Sequence, residues 1–200
     1  MIKAEVDKGT LKAIENRLDK MSNKAPMVMK QAINETAKQA RIQLAKTAQK
    51  QYSIKTGRFN KAMEIKKAAV SRPEAIIRAT GEVLEIKEFK ISPNKYTTGA
   101  SRPNVTKGKV YRNGSLKKLQ KGNLKAFVSK FKNGHVAVVQ RVPGKKMKSD
   151  PKKDFIKKLL SPSIPKILGN EEKVFGIVEP DISKNLKLNL EKYTLRALGE

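Results

Sequence analysis

Apolar positions in the first fifty residues recur at helical spacing. Leu11, Ile14, Leu18 and Met21 step by three, four and three, which predicts a helix over about 9–21. A longer helix is predicted from Pro26 to about Gln51, because proline suits a first turn, where its missing N–H has no helical partner to lose. Ala32, Ala37, Ala40, Ala45 and Ala48 line this segment together with Val28, Ile33 and Leu44. A stripe of small residues lets a neighbouring element approach closely. Lys30, Lys38, Arg41, Lys46 and Lys50 occupy the other face, which is either solvated or set against a polyanion.

From Thr56-Gly57 onward the pattern turns strand-like. Segments 63–70 and 74–80 read as a hairpin across Ser71-Arg72-Pro73, and Leu84–Ile91 reads as one short strand. Residues 92–108 have loop composition. Segments 109–111 and 115–119 flank a compact turn at Arg112-Asn113-Gly114. Segments 126–131 and 135–142 flank Asn133-Gly134, the strongest hairpin signal in the chain. Beyond Pro143-Gly144, the lysine-rich stretch 143–158 is expected to be a basic loop. A short helix is expected over 155–160, stopped by Ser161-Pro162, and another helical turn over Pro165–Leu168 before Gly169. The last predicted element is a helix over about 181–198, with Asp181 as its N-cap after Pro180. Ile182, Leu186, Leu190, Tyr193 and Ala197 form its apolar stripe, widened by Leu188, Leu195 and Leu198, and this stripe is expected to serve core or subunit packing. These elements predict an α+β fold: N-terminal helices, one of them long, packed on a mostly antiparallel sheet with hairpins, plus a C-terminal amphipathic helix. The expected organisation is a single domain over 1–200, with a helical part (9–52), a sheet part (62–142), the basic loop and the final helix.

Charge changes the picture more than any motif does. The 200 residues carry 45 basic and 18 acidic side chains, a net charge of +27. The excess is local. Residues 1–81 hold 18 basic and 7 acidic groups, 82–100 hold 3 of each, 101–160 hold 18 and 2, and 161–200 hold 6 of each. Such a surplus repels itself, so a polyanionic surrounding is expected, with nucleic acid the first choice. The absence of Cys excludes disulfides, thiolate metal sites and thiol catalysis. The first residues lack the apolar core of a signal peptide, and no apolar run approaches the length of a membrane span. An aqueous compartment and no membrane partner are therefore expected.

The search for catalytic groups finds little. The one histidine, His135, follows the Asn-Gly turn and is explained as a strand start. Glu82, Glu85 and Glu88 recur every third residue, but in an extended segment they need not share a face, so a solvated charge pattern is expected. No glycine-rich phosphate loop is present. The chain is expected to be no enzyme and to need no metal or cofactor. Nucleic-acid recognition has charge but few aromatic platforms, and lysine outnumbers arginine, which favours diffuse phosphate attraction over base readout.

Taken in order, Ala32-Ile33-Asn34-Glu35-Thr36-Ala37, Tyr52-Ser53-Ile54-Lys55, Ile86-Lys87-Glu88-Phe89, Ala126-Phe127-Val128, Gly134 through Arg141, Ser161-Pro162-Ser163-Ile164-Pro165 and the C-terminal helix form a series. This series resembles the minor tail protein Z, or tail completion, family of tailed bacteriophages over roughly residues 20–198. The resemblance implies an α+β subunit of a ring, six-fold like a tail tube. The ring would sit at the head-proximal neck and join the tail to a DNA-filled head. Its implied partners are further copies of itself, tail terminator or tube proteins, head-connector proteins, and DNA through its phosphates. The implied location is the virion, after assembly in the host cytoplasm. On this reading Lys145, Lys146, Lys148, Lys152 and Lys153 are expected beside the DNA. Two other classes fit the charge: a free, non-specific nucleic-acid binder associated with ribosomes or the nucleoid, and a basic effector of anionic membranes.

Overall fold

The alanine-lined segment forms a 27-residue helix, α2 (Ala25–Gln51), in the computed structural model of the chain, which describes residues 2–5, 8–18, 23–54, 57–98 and 101–199. Val28, Ala32, Ile33, Ala37, Ala40, Leu44, Ala45 and Ala48 are all buried, as the spacing predicts. The backbone groups into two compact units. Unit one comprises Met1–Ala48, Gly57–Gly81 and Ile164–Glu200, and unit two comprises Gln49–Thr56 and Glu82–Ser163.

Unit one holds all the longer helices. Helix α1 (Lys8–Leu18) begins where predicted, while residues 19–22, with Met21 among them, lie outside the described residues. The short α3 (Arg58–Ala62) leads into an antiparallel sheet of β1 (Ile2–Glu5), β2 (Met63–Lys66) and β3 (Glu74–Ala79), with β3 in the middle. The predicted hairpin is present but shorter: Met63 pairs with Ala79 and Lys66 with Ile76, and the chain turns through an Ala69–Arg72 bridge. Ile14, Val28, Met29, Ile33, Ala68, Ala75 and Leu190 form one core cluster, against which Ile65, Leu186 and Tyr193 also pack.

Two polar contacts fix this packing. The Asn34 side chain mirrors a backbone pair, its Nδ2 donating to the Ala68 carbonyl (3.1 Å) and its Oδ1 accepting from the Ala68 N–H (2.8 Å). Asn189 donates to Thr36 Oγ1 (2.9 Å) and to Gln39 Oε1 (3.1 Å), while the Thr36 hydroxyl donates to the Ala32 carbonyl (2.8 Å). Buried polar groups are tolerated when satisfied in this way.

After the short α4 (Ile164–Leu168), close to the predicted turn, the final helix corrects the sequence reading. It is α5 (Phe175–Leu198), six residues longer at its start than predicted, with Pro180 inside it. The N-cap position is Val174, whose side chain makes no capping bond; the turn before it is held by Asn170, whose Oδ1 accepts the Lys173 N–H (2.8 Å) and whose carbonyl accepts the N–H groups of Val174 and Phe175 (2.9 and 2.8 Å). Asp181 lies within the helix and is exposed. Pro180 is the sixth residue of this helix, past its first turn, and costs it one bond, that to the Gly176 carbonyl. Gly176 itself is required by close approach, since a Cβ there would lie 2.4 Å from the Glu171 carbonyl oxygen.

Unit two is built from small antiparallel sheets. The expected strand over 84–91 divides into β4 (Leu84–Glu85), a 3-10 turn (Ile86–Glu88) and β5 (Lys90–Ser92). The reason is the spacing of its buried residues. Leu84, Ile86, Phe89 and Ile91 step by two, three and two, and the turn absorbs the extra residue. Strand β5 pairs with β6 (Lys107–Lys109), which pairs with β7 (Lys117–Lys118). The segment after α2 docks here: Ser53 N–H donates to the Val110 carbonyl (2.8 Å), and the Tyr52 and Tyr111 rings lie 5.1 Å apart. Burial, and then the neighbouring Tyr111, push the Tyr52 hydroxyl up to about 12.

The largest sheet has the order β11-β10-β9-β8, from β11 (Asp150–Lys158), β10 (Val136–Met147), β9 (Leu124–Lys130) and β8 (Gln120–Lys121). The Asn133-Gly134 hairpin forms as predicted, with Val136 opposite Lys130 and Gln140 opposite Ala126. The expected basic loop over 143–158 and the expected helix over 155–160 are both corrected. These residues form the far half of β10, a turn at 148–149, and β11; Leu160 then belongs to β12 (Leu160–Ser161), which pairs with β4. Pro143 fits in a strand because β9 pairing ends at Gln140, so beyond that point β10 has a partner on one side alone. Gly144 takes a positive φ of 73° where the β10–β11 register shifts, as a bulge requires.

Candidate nucleic-acid interface

The β10–β11 hairpin gathers the lysines singled out in the sequence. Lys145 and Lys146 lie near the end of β10, Lys148 lies in the turn, and Lys152 and Lys153 lie on β11; all five are exposed. No residue from Arg141 to Lys158 is buried. That span carries eight basic and two acidic side chains. An apolar core therefore does not hold this ribbon; its backbone ladder and the side chains across it do.

Those side chains account for part of the charge. Lys146 Nζ lies 2.8 Å from Asp154 Oδ1, and Arg141 Nη1 lies 3.7 Å from Asp154 Oδ2. Lys153 Nζ lies 2.8 Å from Asp150 Oδ2, and the Lys152 backbone N–H also donates to Asp150. Lys145 Nζ stands 4.8 Å above the Phe155 ring. The Lys146 bond holds the Asp154 carboxyl below its ordinary range. The bonds from Lys153 and then Lys152 do the same for Asp150, which in turn raises the Lys153 ammonium. These bonds are solvent-exposed and weak enough for a polyanion to replace.

One arrangement escaped the sequence reading. His135 Nε2 lies 3.1 Å from both carboxylate oxygens of Glu85, and Lys158 Nζ donates to Glu85 Oε1 at 2.6 Å. The Glu85 side chain is 19% exposed, so it is a partly buried acceptor and not a solvated charge. Burial alone would push its carboxyl up, but the bonds from Lys158 and His135 outweigh this and hold it below the ordinary 4.5. Both partners lie at least fifty residues away in sequence, which is why spacing did not reveal them. The three form a structural clamp joining β4, the hairpin turn and β11. Among the described residues no group of three or more His, Asp or Glu is placed to hold a metal ion.

The stripe residues of the last helix lie on unit one. Ile182 and Leu190 are buried, and Leu186 and Tyr193 are partly buried against the core cluster, whereas Leu188 is 53% exposed.

The series of segments noted in the sequence now has a geometry: the Asn34 clamp, the Tyr52-Ser53 dock, the 3-10 turn and the Asn-Gly hairpin each hold a joint of the fold. A family model described as prophage minor tail protein Z (GPZ) matches residues 8–199. The chain belongs to the prophage minor tail protein Z family. This is a family of phage tail structural proteins, which places the chain among virion components. Searches of characterised proteins and of solved structures returned no significant match. No helix among the described residues of this minor tail protein Z family member is long and apolar enough to cross a membrane.

Proposed function

We propose that the chain is the tail completion subunit of a phage or phage-like particle, forming a ring at the head-proximal neck that joins tail to head around the DNA path. The observation that carries this reading is the concentration of cations on the β-rich half of a tail-protein fold. Unit two has 23 basic and 5 acidic residues, a surplus of 18 out of the chain's 27. A ring lining a DNA path has use for such a surplus and needs no reacting group. Its partners would be further copies of the chain, in six-fold or other cyclic symmetry, together with tail tube or terminator and head-connector proteins. Closed rings use heterologous contacts. The exposed hairpin lysines would lie beside the DNA and screen its phosphates without gripping bases, since firm gripping would impede ejection.

Electron microscopy of purified particles with a label on this chain tests the location, and density at the neck is the expected result. Reversing Lys145, Lys146, Lys148, Lys152 and Lys153 to Glu should leave tails assembled while lowering the yield of DNA-filled, infectious particles. Label absent from particles, together with steeply salt-dependent DNA binding by the free chain, would favour the non-specific nucleic-acid binder instead.

A further inference from the structure

Unit two contains a second basic feature, at the foot of the hairpin. A cleft of about 510 Å³ opens between the 102–104 loop and strands β9 and β10, and no carboxylate lines it. Its walls carry three cations, Arg102, Lys125 and Arg141, and two side-chain amides, Asn104 and Asn123. Phe127 forms the floor between the arginines. It is the residue of β9 that separates buried Ala126 from buried Val128, so its ring stands on the opposite, partly open face of the strand.

The two guanidinium carbons lie 5.0 Å (Arg102) and 5.6 Å (Arg141) from the Phe127 ring centre. An arginine resting on an aromatic face keeps its N–H edges free, and the ring limits its rotamers before any ligand arrives. Arg102 has no carboxylate within ion-pair distance among the described residues, and Arg141 has one distant carboxylate, Asp154 at 3.7 Å. Two preset arginine forks and a lysine around one opening match the tetrahedral, multiply accepting oxygens of a phosphate group. Small apolar ligands fit poorly, because most of the inward-facing groups are cations and amides.

We infer that this cleft binds the phosphodiester backbone of nucleic acid, with Arg102 and Arg141 as phosphate clamps braced on Phe127 and Lys125 as a third contact. The inference rests on the neck reading for the identity of the polyanion. It locates the anchoring contact at the base of the hairpin, where Arg141 is also the first residue of the exposed ribbon. The lysines beyond it would then extend the same phosphate track outward.

The test uses the isolated full-length chain and a fluorescent 20-base-pair duplex in about 50 mM salt, where phosphate contacts are strongest. Substituting Arg102→Ala, Lys125→Ala and Arg141→Ala together should weaken binding roughly ten- to a hundredfold. It should also flatten the log–log salt slope by about 2–3, close to one for each phosphate that is no longer neutralised. The control pair Lys184→Ala and Lys187→Ala, on exposed positions of α5, should change binding less than about twofold. Arg102→Lys keeps the charge and the fold but removes the fork, and should still lose severalfold. An unchanged slope in the triple variant, or no binding by the wild-type chain, overturns the inference. Displacement of the duplex by ATP at equal phosphate concentration also overturns it, in favour of a small-nucleotide site. Because no particle is involved, these outcomes are separate from failure of the neck reading, which the label at the tail neck decides.

Discussion

The two units divide the chain's work between cohesion and charge. Unit one has 22 basic and 13 acidic residues, packs an alanine-faced helix against α5 and a small sheet, and satisfies its interior polar groups with Asn34 and Asn189. Unit two doubles the net surplus on fewer residues. Much of its largest sheet is a two-stranded ribbon with no buried side chain past Gln140. Charge of one sign is costly to pack, so it accumulates where packing is least needed. The basic surplus is therefore concentrated on one architecture and is not a uniform coating.

The largest effect is expected from Phe59→Ala in unit one, where the ring is fully buried; denaturant unfolding should show a loss of about 3–5 kcal/mol. A smaller loss would mean that this core is looser than its burial implies. Asn34→Ala removes both bonds to Ala68 and leaves a backbone pair unmet, which should cost about 1–3 kcal/mol in the same measurement. In unit two, Glu85→Gln should cost about 1 kcal/mol at neutral pH, since Lys158 and His135 are some two-fifths exposed and water screens them. That cost has a defined pH dependence. The folded carboxyl titrates below 4.5, so its contribution is present above that value and fades as pH falls through the lower folded value. Thermal melts of wild type and Glu85→Gln should therefore converge in acid, and a gap that widens there would contradict the clamp. The smallest effect belongs to the hairpin. Changing Lys145, Lys146, Lys148, Lys152 and Lys153 together to Gln should leave Tm within about 2 °C, because exposed ion pairs contribute little.

Much of unit one was legible in the sequence, because α2 follows the 3.6-residue period from Val28 to Ala48 and a single helix face is buried. The Asn133-Gly134 hairpin was legible for a different reason: its turn chemistry is local. What stayed hidden had no such local signature. Residues 143–158 are strands exposed on both faces, so neither face selects apolar residues and no alternation exists to read. Pro143-Gly144 then mimicked a loop start. The true start of α5 stayed hidden because Pro180 resembles a helix boundary, whereas the helix begins at Phe175 behind a Val174 cap position with no capping side chain to read. The cleft around Phe127 draws Arg102, Lys125 and Arg141 from a loop and two strands, and the Glu85 clamp likewise spans distant segments. Both exist only through tertiary pairing. The α+β class was readable from the element pattern, and so was most of the charge division, since the 18 basic and 2 acidic residues of 101–160 all belong to unit two.

Strand β11 closes one side of its sheet, and among the described residues no strand pairs with its outer edge. Open rims of this kind invite the same rim of another molecule, and the usual outcome is runaway stacking. Here the rim carries Pro151 near its start and Lys152, Lys153, Lys157 and Lys158 along its length. Two such rims brought together would oppose lysine rows with few carboxylates to soften them. The crowd of ammonium groups along this edge therefore disfavours edge-to-edge adhesion between copies of the chain.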